Sequence, residues 1–143
     1  MADVYGLIEF AHECDGTPFK HQGRINGRGM DCAGLLAHCL GRAGLPYLDE
    51  NGYGRNPFDG MLERALDAQP SLERIHLDDV GAGDVLLMRV VRSPQHIGIH
   101  AGCIDGHPYI IHASQLHGSV VTHRLDSDWG GRVMRAYRVK GPQ

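Results

Sequence analysis

Helical periodicity in the first half of the chain and strand periodicity in the second predict an α+β domain with a mainly antiparallel sheet. Before residue 70 apolar side chains recur at helical spacing; after residue 80 the period falls towards 2. A third observation bounds the answer. The 143 residues are 42% hydrophobic and 22% charged, with no internal repeat, low-complexity stretch or Pro/Ser-rich linker. That is one compact domain over residues 1–143, with too little length for two.

The elements follow in order. Val4 to Cys14 carries apolar residues at 4, 7, 8 and 11, the stripe of a core-facing helix, and Asp15-Gly16-Thr17-Pro18 stops it. Phe19 to Met30 contains Gly23, Gly27 and Gly29 and reads as an irregular loop. A second helix starts after Asp31 as N-cap and runs to about Arg42, with Cys32, Leu36, Cys39, Leu40 and Ala43 on one face. Gly44 then occupies a C-cap position and Pro46 blocks continuation. Asp59 to Ala68 reads as a third helix. Strands are expected at Asp84–Val91, His96–Gly102, Pro108–Ala113, Ser119–Leu125 and Val133–Val139. The Cys32 helix should pack on one face of their sheet.

Charge and hydropathy exclude several functions. Lys plus Arg number 14 against 17 Asp plus Glu, a formal charge of -3, so no basic surface for nucleic acid is expected. The longest apolar runs, Val85–Met88 and Ile110–Ile111, fall far short of the roughly 20 residues of a membrane helix. Met1-Ala2-Asp3-Val4-Tyr5 has neither the basic start nor the apolar core of a signal peptide, so the chain is expected to be made in the cytoplasm without one.

Four Cys and ten His remain to be sorted. Cys14, Cys32, Cys39 and Cys103 form no CxxC pair and read as free thiols. Cys32 in Gly29-Met30-Asp31-Cys32-Ala33-Gly34-Leu35 lies in a first helical turn, where unpaired N–H groups and the dipole favour a thiolate. A lowered pKa and a nucleophilic sulfur are therefore expected, with a buried apolar Cys as the alternative. A thiolate needs a base and the base an orienting group. If the hairpin loop is centred near Asp105, His112 lies opposite Gly98 and diagonal to His96 on one face. A two-residue Asp105-Gly106 turn would shift that register by one, so the pairing calls for a loop of odd length.

Zinc on His96, His100 and His112, with Asp84 or Asp105, is the competing reading. His96 and His100 would stand about 13 Å apart along a strand, too far to share an ion, so no metal and no cofactor are expected. The histidines at 12, 21, 38, 76, 107, 117 and 123 read as solvent-facing or hydrogen-bonded.

Together, Thr17-Pro18-Phe19-Lys20-His21-Gln22-Gly23-Arg24, Asp31-Cys32-Ala33-Gly34-Leu35, Gly83-Asp84-Val85-Leu86, His96-Ile97-Gly98-Ile99 and Ile111-His112-Ala113-Ser114 resemble the NlpC family. These are papain-like cysteine peptidases that cut peptidoglycan stem peptides. The resemblance runs from Thr17 to Ser114, and the Pro18–Arg24 segment is similar to the branch encoded with phage and prophage tail genes. It implies a papain-like fold, Cys32 as nucleophile, His96 as general base and His112 as the orienting third member. It further implies a stem-peptide substrate cut between D-glutamate and a diamino acid, and phage tail-tip proteins as partners in a virion acting at the bacterial wall. Ala33 stands where most members have Ser, and Phe19 where they have a Tyr whose hydroxyl helps hold the oxyanion. That leaves the oxyanion to backbone N–H groups and His21. The substitutions motivate two alternatives, a non-catalytic tail assembly module and an amidase or acyltransferase on another amide. The Tyr47–Ala82 segment reads either as a lid or specificity loop, with Tyr53 and Arg55 able to meet an anionic peptide, or as ordinary surface structure.

Overall fold

A computed structural model describes residues 3–49, 60–89 and 94–140. Among the described residues four α-helices, α1 (Leu7–His12), α2 (Cys32–Arg42), α3 (Met61–Asp67) and α4 (Ser127–Gly130), accompany eight strands. These are β1 (Arg24–Ile25), β2 (Gly29–Met30), β3 (Leu72–Ile75), β4 (Val85–Arg89), β5 (Pro94–Ile104), β6 (His107–Ser114), β7 (Ser119–Arg124) and β8 (Val133–Val139). The six longer strands form one antiparallel sheet in the order β3-β8-β4-β5-β6-β7. The α+β architecture with helices on an antiparallel sheet is the one the periodicities predict.

Leu35, Leu36, Cys39 and Leu40 of α2 pack with Leu7 and Ala11 of α1 against Val85, Leu87, Ile97, Ile99 and Ile111 of the sheet. Leu86, Met88, Ile110 and Ala136 form a second, smaller cluster on the other face, covered by Trp129 and Val133. Burial on both faces explains why β4 reads Val-Leu-Leu-Met without alternation.

Several boundaries differ from the sequence reading. The first helix begins at Leu7 because Asp3 caps it from outside, its carboxylate accepting the N–H groups of Leu7 at 3.0 Å and Ile8 at 2.8 Å. Val4 is left exposed. The third helix begins at Met61, after Gly60 at φ 79°; Asp59 lies outside the described residues, as do Val90, Val91, Tyr53 and Arg55. Two β-elements escape the periodicity. The Phe19–Met30 loop contains the β1–β2 hairpin, and Leu72–Ile75 forms an edge strand by pairing with β8.

The β5–β6 hairpin corrects a specific expectation. Its loop is the two-residue Asp105-Gly106 turn, with φ 52° and 81°, the type I′ geometry that an Asp-Gly pair favours. Ile104 pairs with His107 and Cys103 with Pro108. Unbroken, that register would spoil the His96–His112 pairing. A bulge intervenes: His100 pairs with Ile110 and Ile99 with Ile111, so Ala101 and Gly102 together oppose Tyr109. Gly102 takes φ 83°, which a side chain would resist. The extra residue comes from the strand and not from the turn.

Candidate active site

Asp31 builds the start of α2. One carboxylate oxygen accepts the Gly34 N–H at 2.9 Å and the Arg24 guanidinium at 2.9 Å; the other accepts the Gln22 N–H at 2.9 Å. Arg24 also grips Asp49. Gly34 admits no side chain, since a Cβ there would collide with the Gly23 carbonyl oxygen. The Asp-Cys-Ala-Gly segment is thereby locked onto the β1–β2 hairpin with Cys32 as first helical residue.

Cys32 reaches β5 where that strand leaves its neighbour. The β5–β6 ladder ends at Ile99–Ile111. Ile97 still faces Leu87 on β4, while its N–H hydrogen-bonds the Cys32 sulfur. The nucleophile candidate thus sits at the split in the sheet, beside the residue that follows His96.

The electrostatics correct the expected thiolate. Burial pushes the Cys32 thiol up from 9.0 to about 12, reinforced by the Asp31 charge; hydrogen bonds from the Ile97 and Ala33 backbone oppose it only in part. The rise is worth about 4 kcal/mol at 1.36 kcal/mol per unit, against roughly 0.3–1 kcal/mol from a helix N-terminus. Desolvation wins. Burial likewise pushes His96 down to about 4, and His112, fully buried, down to about 2 through burial and then the neighbouring His96, His123 and His117. Both shifts run towards the uncharged forms, the thiol of Cys32 and the imidazole of His96.

The histidines form a chain. His96 Nε2 lies 2.7 Å from His112 Nδ1, and His112 Nε2 lies 2.8 Å from His123 Nε2. His123 Nδ1 lies 2.8 Å from the Arg124 carbonyl oxygen. A carbonyl only accepts, so with neutral rings the tautomers follow in series. His123 carries its proton on Nδ1 and offers a lone pair at Nε2. His112 must then donate from Nε2 and accept at Nδ1, so His96 donates from Nε2. The lone pair left over is His96 Nδ1. Trp129 of α4 packs edgewise on His112 and tilted on His123, with centroids 5.0 and 5.1 Å away.

The structure therefore joins His96 to His112, brings Cys32 against the strand that carries His96, and leaves His100 apart. His100 Nδ1 accepts the Gly102 N–H within the bulge, and among the described residues the ring nitrogens of His96, His100 and His112 do not gather into one metal-sized cluster. Sequence reasoning missed His123 as a partner of His112; it stands opposite Ile110 in the unbroken β6–β7 register, diagonal to His112. It missed Tyr47 as well, half-buried beside the site, where burial and then Asp49 hold its hydroxyl above the usual range. Phe19 packs against the core. A cavity of 380 Å³ opens at Ala33, the residue after Cys32, and is lined also by Ile97, Tyr47, Met61, Arg64 and Gln69 among others.

The sequence profile of the NlpC/P60 family matches residues 16–138. Two crystal structures share the fold. One is a Staphylococcus aureus protein described as similar to a lipoprotein of the NLP/P60 family, 16% identical, TM-score 0.67, aligned over 99% of this chain and 43% of its own. This chain thus spans less than half the length of that protein. The other is the NlpC/p60 domain of the peptidoglycan hydrolase SagA, 21% identical, TM-score 0.58, aligned over 96% and 99%. No curated protein matches the sequence. Among the described residues no helix is long and apolar enough to cross a membrane.

Proposed function

Because the chain belongs to the NlpC/P60 family, we propose that it is a cysteine endopeptidase acting on peptidoglycan stem peptides, at an amide between D-glutamate and a diamino acid. The observation that carries this reading is the 2.7 Å His96–His112 hydrogen bond on the strand whose Ile97 N–H meets Cys32. As the Cys32 sulfur attacks the amide carbonyl, His96 Nδ1 takes its proton, and backbone N–H groups at the start of α2 receive the oxyanion. His112 holds the imidazolium in orientation. The C–N bond then breaks, His96 protonates the leaving amine, and a thioester remains. Water, deprotonated by His96, hydrolyses it to a carboxylic acid and the free thiol.

The 380 Å³ cavity is of a size to seat part of a short peptide, and Arg64 on its wall suits an anionic one. Action at the bacterial wall follows from that substrate. The association with a phage or prophage tail rests on the Pro18–Arg24 resemblance alone. Mass spectrometry of purified muropeptides incubated with the protein tests the peptidase reading. New amine and carboxylate termini across one amide are expected, absent with Cys32→Ala; equal cleavage by that variant overturns it. The neutral thiol, with Ala33 and Phe19, favours a second reading, a tail assembly module that keeps the fold without turnover. Intact muropeptides after incubation with the parent protein would support it.

A further inference from the structure

Outside the proposed thiol–imidazole pair, one side-chain cluster among the described residues has the form of a metal site. His112, His117 and His123 each offer a ring nitrogen, all within 4.8 Å of one another. Each ring's Nδ1 is already engaged. His112 Nδ1 meets His96 at 2.7 Å, His117 Nδ1 meets the buried Ser114 Oγ at 2.7 Å, and His123 Nδ1 meets the Arg124 carbonyl at 2.8 Å. Metal-binding imidazoles are held in this way, one nitrogen fixed by an outer partner and the other aimed at the ion. Three imidazoles suit zinc, with water as fourth ligand. Bonds of about 2.0–2.1 Å place tetrahedral ligands about 3.3 Å apart, so movements of about an ångström suffice. His117 is exposed, which gives an ion a way in, while His112 is fully buried behind it.

We propose that His112, His117 and His123 form a binding site for a zinc-class divalent cation, and that its occupation silences Cys32. The silencing follows from proton positions and rests on the peptidase reading above. An ion on His112 Nε2 displaces the proton that Nε2 donates to His123. His112 then carries its proton on Nδ1 and donates to His96 Nε2, and His96 carries its proton on Nδ1. Each ring keeps one proton and no charge is created on the imidazoles. The lone pair that would take the Cys32 proton is gone, because it now points at His112.

The test separates binding from catalysis. In the full chain with Cys32→Ala, which removes the competing thiol, calorimetric titration after chelator treatment should find one Zn²⁺ per chain. Co²⁺ should give an intense tetrahedral visible spectrum. Both signals should be lost with His117→Ala added. In the chain with Cys32 intact, Zn²⁺ should suppress muropeptide cleavage by tenfold or more, reversibly with chelator. His117→Ala should keep its own metal-free rate at the same Zn²⁺ concentration. Nitrogen NMR of the His rings should show the His96 tautomer inverting as Zn²⁺ binds. Zn²⁺ binding that survives both His117→Ala and His123→Asn overturns the site. Stoichiometric binding at the three histidines with undiminished cleavage overturns the silencing. Binding by Cys32→Ala where the parent cleaves no muropeptide supports the site and removes only the peptidase reading.

Discussion

The neutral resting state of Cys32 yields the most direct prediction. A thiol pushed up to about 12 is ionised at neutral pH to about 1 part in 100,000, whereas an unperturbed cysteine near 8.5 is ionised to about 3%. The perturbations are pH and the substitution His96→Ala. The readout is the ultraviolet thiolate absorbance, taken as the difference between the parent and Cys32→Ala. No Cys32-dependent thiolate should be present anywhere from pH 6 to 9, with or without His96. The neutral base at position 96, pushed down to about 4, is then what makes the sulfur reactive, by taking its proton during attack. In His96→Ala, iodoacetamide should alkylate Cys32 on the order of a thousandfold more slowly than the cysteines of the denatured chain near neutral pH. A Cys32-dependent thiolate band near neutral pH that disappears in His96→Ala would refute the reasoning. It would mean that a thiolate–imidazolium pair forms in the free protein and that its mutual attraction exceeds both desolvation costs.

Three further outcomes follow from packing. Gly34→Ala drives a methyl group into the Gly23 carbonyl oxygen, which backbone cannot evade cheaply; urea unfolding should show a loss of about 1–3 kcal/mol, and an unchanged midpoint would contradict the contact. Arg24→Ala leaves the buried Asp31 carboxylate short of its charged partner and should cost about 2 kcal/mol in the same assay, with Arg24→Lys intermediate because a point charge replaces the fork. Deleting Ala101 removes the bulge while keeping the Asp105-Gly106 turn. Gly102 then opposes Tyr109 alone while His100 still pairs with Ile110, so His112 stays diagonal to His96 and muropeptide cleavage should survive in a chain that folds by circular dichroism; cleavage lost from such a chain would show that the bulge does more than set the register.

The helix carrying Cys32 is legible in sequence because its signals are local. Asp31 caps a donor three residues on, and Gly34 permits the close approach, all within one turn. The shift from helical to strand period is local too, and so are the sheet strands it marks. The edge strand Leu72–Ile75 is not. Its burial runs buried, exposed, exposed, half-buried, so no alternation announces it, and only hydrogen bonds to β8 make it a strand. Strand alternation pairs His96 with His112, yet through the wrong device. The residue that corrects the register is a bulge at Ala101–Gly102, and a glycine in a strand does not say by itself whether it bulges or simply lies flat.

What the sequence alone determined, then, is an α+β fold, a cysteine at a capped helix start, and two histidines able to share a sheet face. These depend on neighbours within a turn or a strand pair. The tertiary structure decided the rest. It pushes the Cys32 thiol up, because desolvation sums over every group packed around the sulfur and outweighs the few N–H groups of its own helix. It decided which of ten histidines converge, because β6 and β7 bring His112, His117 and His123 together from positions that are unremarkable along the chain. Proton positions in that cluster depend on one carbonyl at its far end. Electrostatics and hydrogen-bond direction are properties of arrangement in space, and no local pattern carries them.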